Sequence, residues 1–121
     1  MGQGSIIGYE INEKTCQISF YNEKDLEPDT LEVDTDNYQI PLIIGKLRDT
    51  WAYGKEAKRL VTIKDGFTAT RLLSKSLAGD KIEFGEETYD AVWLLSQFIQ
   101  MSLQSFPEID GIVFTVPSLS E

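Results

Sequence analysis

Seven apolar residues near the end of the chain, Ala91, Leu94, Leu95, Phe98, Ile99, Leu103 and Phe106, recur at the spacing of one helix face. Soon after them comes the uninterrupted apolar run Gly111-Ile112-Val113-Phe114-Thr115-Val116, closed by Pro117. A continuous apolar strand is expected where both faces of a sheet are covered. A helix leading into such a strand argues for a parallel crossover, and so for an α/β fold. The helix is expected over about 86–106, with Glu86, Glu87 and Asp90 beside the positive end of its dipole and Pro107 closing it. Core packing is the reading of the stripe, in preference to a cofactor-binding face.

The first fifth of the chain carries a different period. Ser5 to Ile11 is a short, mostly apolar run, and Thr15 to Tyr21 alternates with Cys16, Ile18 and Phe20 on one face. With Asn12-Glu13-Lys14 between them, the two read as a β-hairpin in which Asn12 takes the left-handed conformation. Acidic residues crowd positions 23 to 36, interrupted by Pro28. A calcium loop can be drawn on Asp25, Glu27 and Asp29, but Thr30 stands where such a loop needs glycine and Asp36 where it needs a bidentate glutamate, so a solvated acidic loop with a short strand is preferred. Strands are expected at Ile40 to Ile44 and Thr50 to Tyr53, joined by a turn from Gly45 to Asp49. A short exposed helix is expected from Lys55 to Leu60. A second helix is expected from Ala69 to Ala78, presenting Leu72, Leu73 and Leu77 and ended by Gly79. The order is a β-meander, two or three helices and one closing strand.

Composition removes whole classes of chemistry. The 121 residues include no histidine and one cysteine, Cys16. Zinc sites built on Cys/His sets, Cys/His dyads and Ser/His/Asp triads therefore have no residues to form from, and no internal disulfide is available. The formal charge of −9 repels phosphate backbones and anionic lipid, so neither nucleic acid nor membrane is the expected partner. No stretch approaches the roughly 20 apolar residues of a membrane span. Met1-Gly2 fails as a myristoylation signal because Ile6 holds the position that needs Ser or Thr. The expectation is one cytoplasmic domain with no metal site. Gly2-Gln3-Gly4 precedes a strand instead of following one, and Gly45-Lys46 lacks the remainder of a P-loop. The carboxylate pairs Glu86-Glu87 and Glu10 with Glu13 read as solvated surface.

Four segments, in order, resemble the start of the actin-like ATPase superfamily, which includes actin, heat-shock chaperone ATPase domains and sugar kinases. IIGYEIN is similar to the apolar strand leading into Asp-Leu-Gly-Thr-Thr, and WAYGKEAKR to the segment in which Gly-Asp-Ala-Ala-Lys opens a helix. GFTATRLL resembles Phe-Asp-Ala-Lys-Arg-Leu, and GIVFTVPSLSE the Val-Thr-Val-Pro-Ala strand after a long helix. The resemblance implies a ribonuclease-H-like mixed sheet: an antiparallel β-meander, helices, then a strand parallel to the first.

It further implies that residues 1–121 are the N-terminal subdomain of a longer protein, a fragment whose partner is the remaining half of the ATPase fold. ATP with magnesium would then be held between the halves of that parent, with no cofactor in the isolated chain. Glu10 matches the aspartate that organises metal-bound water, Asn12 the glycine, Glu13 and Lys14 the two threonines, and Thr15 completes the turn. Thr70 falls where the chaperones carry a lysine, with Arg71 retained beside it. The implied phosphate site is degenerate, and no catalytic residue is expected in the isolated chain. A fragment cut there would expose an edge through which it forms a homodimer. The alternative is a non-catalytic interaction or assembly module that retains the fold; a third reading is a self-contained small α/β regulator.

Overall fold

The structure is a computed structural model that describes residues 5–21, 29–30, 39–104, 106 and 108–116. The strands β1 (Ser5–Ile11) and β2 (Thr15–Tyr21) form the expected antiparallel hairpin, with Tyr9 opposite Ile18 and Ile11 opposite Cys16. Both β3 (Asp29–Thr30) and β4 (Gln39–Pro41) pair antiparallel with β2. The short strand β3 lies in the acidic tract; the rest of the proposed solvated loop, like Pro107, lies outside the described residues.

A second sheet has the order β6-β5-β7, built from β5 (Ile44–Leu47), β6 (Thr50–Tyr53) and β7 (Gly66–Ala69). Between β6 and β7 lie α1 (Lys55–Lys58) and a 3-10 turn, Arg59–Thr62. Next come α2 (Leu72–Ala78), a hairpin of β8 (Lys81–Phe84) and β9 (Glu87–Asp90), and α3 (Ala91–Ser102). The last strand, β10 (Ile109–Thr115), pairs parallel with β1, giving the central sheet the order β10-β1-β2-β3. This is the mixed, ribonuclease-H-like sheet that the resemblance implies.

Several elements differ from expectation, each for a local reason. The helix expected from Glu86 starts only at Ala91, because Glu87–Asp90 pairs with β8 around a turn in which Gly85 has φ 66°. Glu86 and Glu87 therefore stand in a hairpin and not at a helix dipole. The strand expected over 40–44 breaks at Leu42 and Ile43, where the Ile43 amide donates back to the Pro41 carbonyl at 2.9 Å. Gly45 consequently sits inside β5, where a Cβ would lie only 2.8 Å from the Phe67 carbonyl oxygen. The turn contracts to Arg48 and Asp49, with Arg48 at φ 57°.

The helix expected from Ala69 begins at Leu72, since Gly66–Ala69 is taken by β7. Gly79 ends it in the left-handed conformation, as expected, but Leu77 points outward and is 69% exposed. The short helix at 55–60 is not wholly exposed, since Ala57 and Leu60 are buried. Nor is β10 covered on both faces: Val113 and Phe114 are 61% and 51% exposed, and its outer edge pairs with no strand among the described residues.

The core lies on one face of the central sheet. Ile7, Tyr9, Ile11, Cys16 and Ile18 pack there against Leu72 and Leu73 of α2 and Leu94 and Phe98 of α3. The helical stripe is thus core, as its period required. Inside it runs a chain of hydrogen bonds. Ser102 Oγ donates to the Ile99 carbonyl at 2.8 Å, which leaves it to accept from the Tyr9 hydroxyl at 2.5 Å, and Cys16 Sγ donates to Tyr9 Oη at 3.7 Å. Burial pushes the Cys16 thiol up to about 11 and raises the Tyr9 hydroxyl above its ordinary range.

A satellite cluster joins the second sheet to the β8–β9 hairpin. Trp51 touches Phe84, Tyr89 and Trp93, and Phe67 stacks on Phe84. Lys46 Nζ lies 5.2 Å from the centre of the Trp51 ring and donates to Glu87 Oε1 at 2.9 Å and Tyr89 Oη at 3.1 Å. Hydrogen bonds from Lys46 and Tyr89 hold the Glu87 carboxyl below the usual glutamate range.

A thiol whose folded pKa is raised favours the unfolded chain once that chain can ionise. Stability should therefore fall between pH 9 and about 11, by on the order of 2 kcal/mol from Cys16. Urea midpoints should fall less steeply with pH in Cys16→Ala, most clearly between pH 9 and 10, since the raised Tyr9 and Tyr53 hydroxyls add their own loss above pH 10. Glu87 has the opposite sign: its contribution is present above the ordinary glutamate value of 4.5 and is lost as the pH falls through its lower folded value. Lys46→Met should lower the melting temperature at pH 6, and the gap from the parent chain should close as the pH approaches 3.

Candidate functional site

The β1–β2 turn is organised by one side chain. Asn12 Oδ1 accepts from the amides of Lys14 and Thr15 at 2.9 and 2.8 Å and from Thr15 Oγ1 at 3.3 Å. The Asn12 amide donates to the Thr15 carbonyl at 2.9 Å. Asn12 does not take the left-handed conformation expected of it: among the described residues the non-glycine positions with positive φ are Arg48, Asp65 and Arg71. Its amide side chain supplies the turn's acceptor instead, so the backbone need not enter that region. The Lys14 carbonyl in turn accepts from Leu42 at 2.8 Å, anchoring the turn to the segment after β4.

Glu13 reaches sideways from this turn. Its Oε1 accepts from Ser74 Oγ at 3.1 Å, which sets the turn against the start of α2. Thr70 and Arg71 lead into that helix, and both are exposed. Arg71 has φ 55° and ψ 39°, the left-handed region, and its carbonyl accepts from the Lys75 amide at 3.0 Å. Six of the seven residues singled out from the sequence, Asn12, Glu13, Lys14, Thr15, Thr70 and Arg71, thus fall on two segments joined by the Glu13–Ser74 bond.

Glu10 stands apart. Tyr9 and Ile11 are buried on the core face, so strand alternation places Glu10 on the opposite face, where it is exposed. There it borders a concavity of ≈ 280 Å³ lined by Gly8, Tyr9, Gln17, Ser19 and Thr115. Thr115 is its register partner on β10 and Gln17 its partner on β2. The acidic pair Glu10 and Glu13 is therefore split by the sheet. Ser74 was not legible as a partner of Glu13, because 61 positions separate the two and only the α2 docking joins them. Gln17, Ser19 and Thr115 share a face through the register of three strands, which periodicity alone does not supply.

Comparison with known proteins bears on the fold around this site. No curated protein matches the chain. Among solved structures, a non-polymerising MamK mutant bound to AMPPNP superposes with a TM-score of 0.60 at 10% identity, over 100% of this chain and 35% of that one. At such identity the likeness is one of fold, and this chain spans about a third of the length of MamK. Residues 27–121 match the family model described as "Family of unknown function (DUF5716) C-terminal", a match that includes Thr70 and Arg71 and begins after the β1–β2 turn. With that much of its length matched, the chain belongs to the DUF5716 C-terminal family.

Proposed function

We propose that the chain corresponds to the first subdomain of an actin-like, chaperone-like nucleotide-binding fold whose β1–β2 turn is a degenerate phosphate loop, and that by itself it does not hydrolyse ATP. The observation that carries this reading is the turn's own hydrogen bonding. A turn that cradles phosphate presents free main-chain amides to the oxygens. Here the amides of Lys14 and Thr15 already donate to Asn12 Oδ1. Glu13 adds a like charge: a carboxylate about 4 Å from a phosphate charge costs about 1 kcal/mol in bulk water and about 4 at an effective dielectric of 20. Thr70 supplies no cation where the chaperone pattern has lysine, and Glu10 faces away from Glu13. These residues do not fit a magnesium-bound triphosphate.

The likeness to MamK supports the fold half of the proposal, and that structure holds AMPPNP. In a longer parent, the nucleotide cleft of such a fold would lie between this portion and the remaining half, and the misfit of this turn would weaken any binding of ATP with magnesium there. The self-bonded turn favours a second reading within the same frame, a non-catalytic interaction or assembly module. Its natural contact is the outer edge of β10, where Gly111 to Val116 carries no charge and Ile112, Val113, Phe114 and Val116 are exposed. The missing half of such a fold would cover this edge, and in the chain alone a second copy would.

The chain should give no ATPase rate above background and no calorimetric signal with millimolar Mg·ATP. In the longer parent, the triple substitution Asn12→Gly, Glu13→Thr and Thr70→Lys should tighten nucleotide binding by about tenfold or more. Hydrolysis by the unmodified chain, or a triple variant no tighter than its parent, would overturn the reading.

A further inference from the structure

The two edges of the central sheet are built differently. At one, β3 and β4 are two and three residues long and include Asp29 and Pro41, so that edge is short, charged and interrupted, which resists further pairing. At the other, β10 runs for seven residues, and once the register has skipped Asp110 it carries neither charge nor proline from Gly111 to Val116. Its core face continues the buried row of β1, with Ile112 beside Ile7 and Phe114 beside Tyr9, yet Ile112 and Phe114 stay exposed. On the opposite face Val113 is exposed beside Gly8, and a Cβ on Gly111 would meet nothing within 4 Å.

This edge is complementary to itself. A strand that meets a second copy about a two-fold axis normal to the sheet pairs antiparallel, and residues opposite one another share a face. With the axis at Val113, that residue meets its own copy on the outer face, and on the core face Ile112 of each copy meets Phe114 of the other. An aromatic opposite a β-branched residue is a stabilising cross-strand pair. Asp110 then stands opposite Val116, and the two Asp110 carboxylates are six positions apart along the ribbon. At about 3.4 Å per residue that is about 20 Å, more than twice the screening length of about 8 Å in physiological salt. An axis at Gly111 would bring those carboxylates within about 10 Å, and one at Ile112 would set each Asp110 against Phe114. The residues that a partner strand must bring to this edge are therefore those that β10 itself carries. We propose that two copies of the chain join antiparallel through β10, about a two-fold axis at Val113, into one continuous sheet. The inference rests on the reading of this edge as the contact surface and commits it to a second copy.

In sedimentation equilibrium the chain should behave as a dimer, and association should tighten as salt rises, because each copy carries a charge of −9. Val113→Glu and Val113→Lys should each weaken self-association about tenfold or more by setting like charges opposite one another, with the circular dichroism spectrum unchanged. An equimolar mixture of the two variants should restore a dimer containing one of each, since the axis at Val113 then sets opposite charges together. A chain that is monomeric at millimolar concentration would overturn the pairing, while the degenerate phosphate loop would stand, because ATPase and nucleotide-binding measurements do not depend on this edge. A dimer that tolerates either charge, or a mixture that stays monomeric, would overturn it too. A monomer that instead captures an uncharged β-strand peptide of unrelated sequence would give the edge to another protein and overturn it likewise.

Discussion

One buried tyrosine sets the geometry on which the rest of the structure depends. Tyr9 has no exposed surface, and its hydroxyl must find partners inside the core or leave a desolvated donor. It finds Ser102 at the end of α3 and Cys16 on β2, and Ser102 passes the chain on to the Ile99 carbonyl. Two strands and a helix are thereby fixed to one another through directional bonds, where apolar packing alone would tolerate slippage. Shifting β1 by one residue would turn Tyr9 to the opposite face and put Glu10 into the core. The same register places β1 beside β10, so the parallel pair is held in line by a side chain that touches Phe114 as well, at 5.5 Å between ring centres.

What could be read from the residues alone follows from how local each signal is. The hairpin at the start was legible because period-two alternation and a polar turn are both contained in seventeen residues, 5–21. The closing strand was legible from its apolar run, and Gly79 from its place after a periodic segment. The β8–β9 hairpin was not. Glu86, Glu87 and Asp90 are what a helix N-terminus would carry, and they became a hairpin through contacts from elsewhere, such as Lys46, forty-one positions before Glu87. The break at Leu42 was hidden for a similar reason: the apolar character of Ile40 to Ile44 persists across it while the pairing partner changes from β2 to β6 and β7.

The candidate site shows the same division. Asn12 was expected to serve the turn through a left-handed backbone, whereas its part is played by the side-chain oxygen. Propensity describes what a residue tolerates, and the hydrogen bonds decide which option is used. The left-handed conformation falls instead to Arg71, which has no such propensity and sits where β7 must bend into α2. Glu10 and Glu13 look like neighbours in sequence, but alternation places a sheet between their carboxylates.

The pairing of Ser5 with Ile109 has a consequence for how the molecule is made. On the ribosome, β1 and β2 can zip together as soon as both have emerged, whereas the other side of β1 waits for roughly a hundred further residues. At about 5–20 residues per second, that flank stays open for about 5 to 20 s in each round of translation. Of its outward residues Ile6, Gly8 and Glu10, the last two are small and charged, a composition that discourages nascent neighbours from adding to the growing ribbon before β10 arrives.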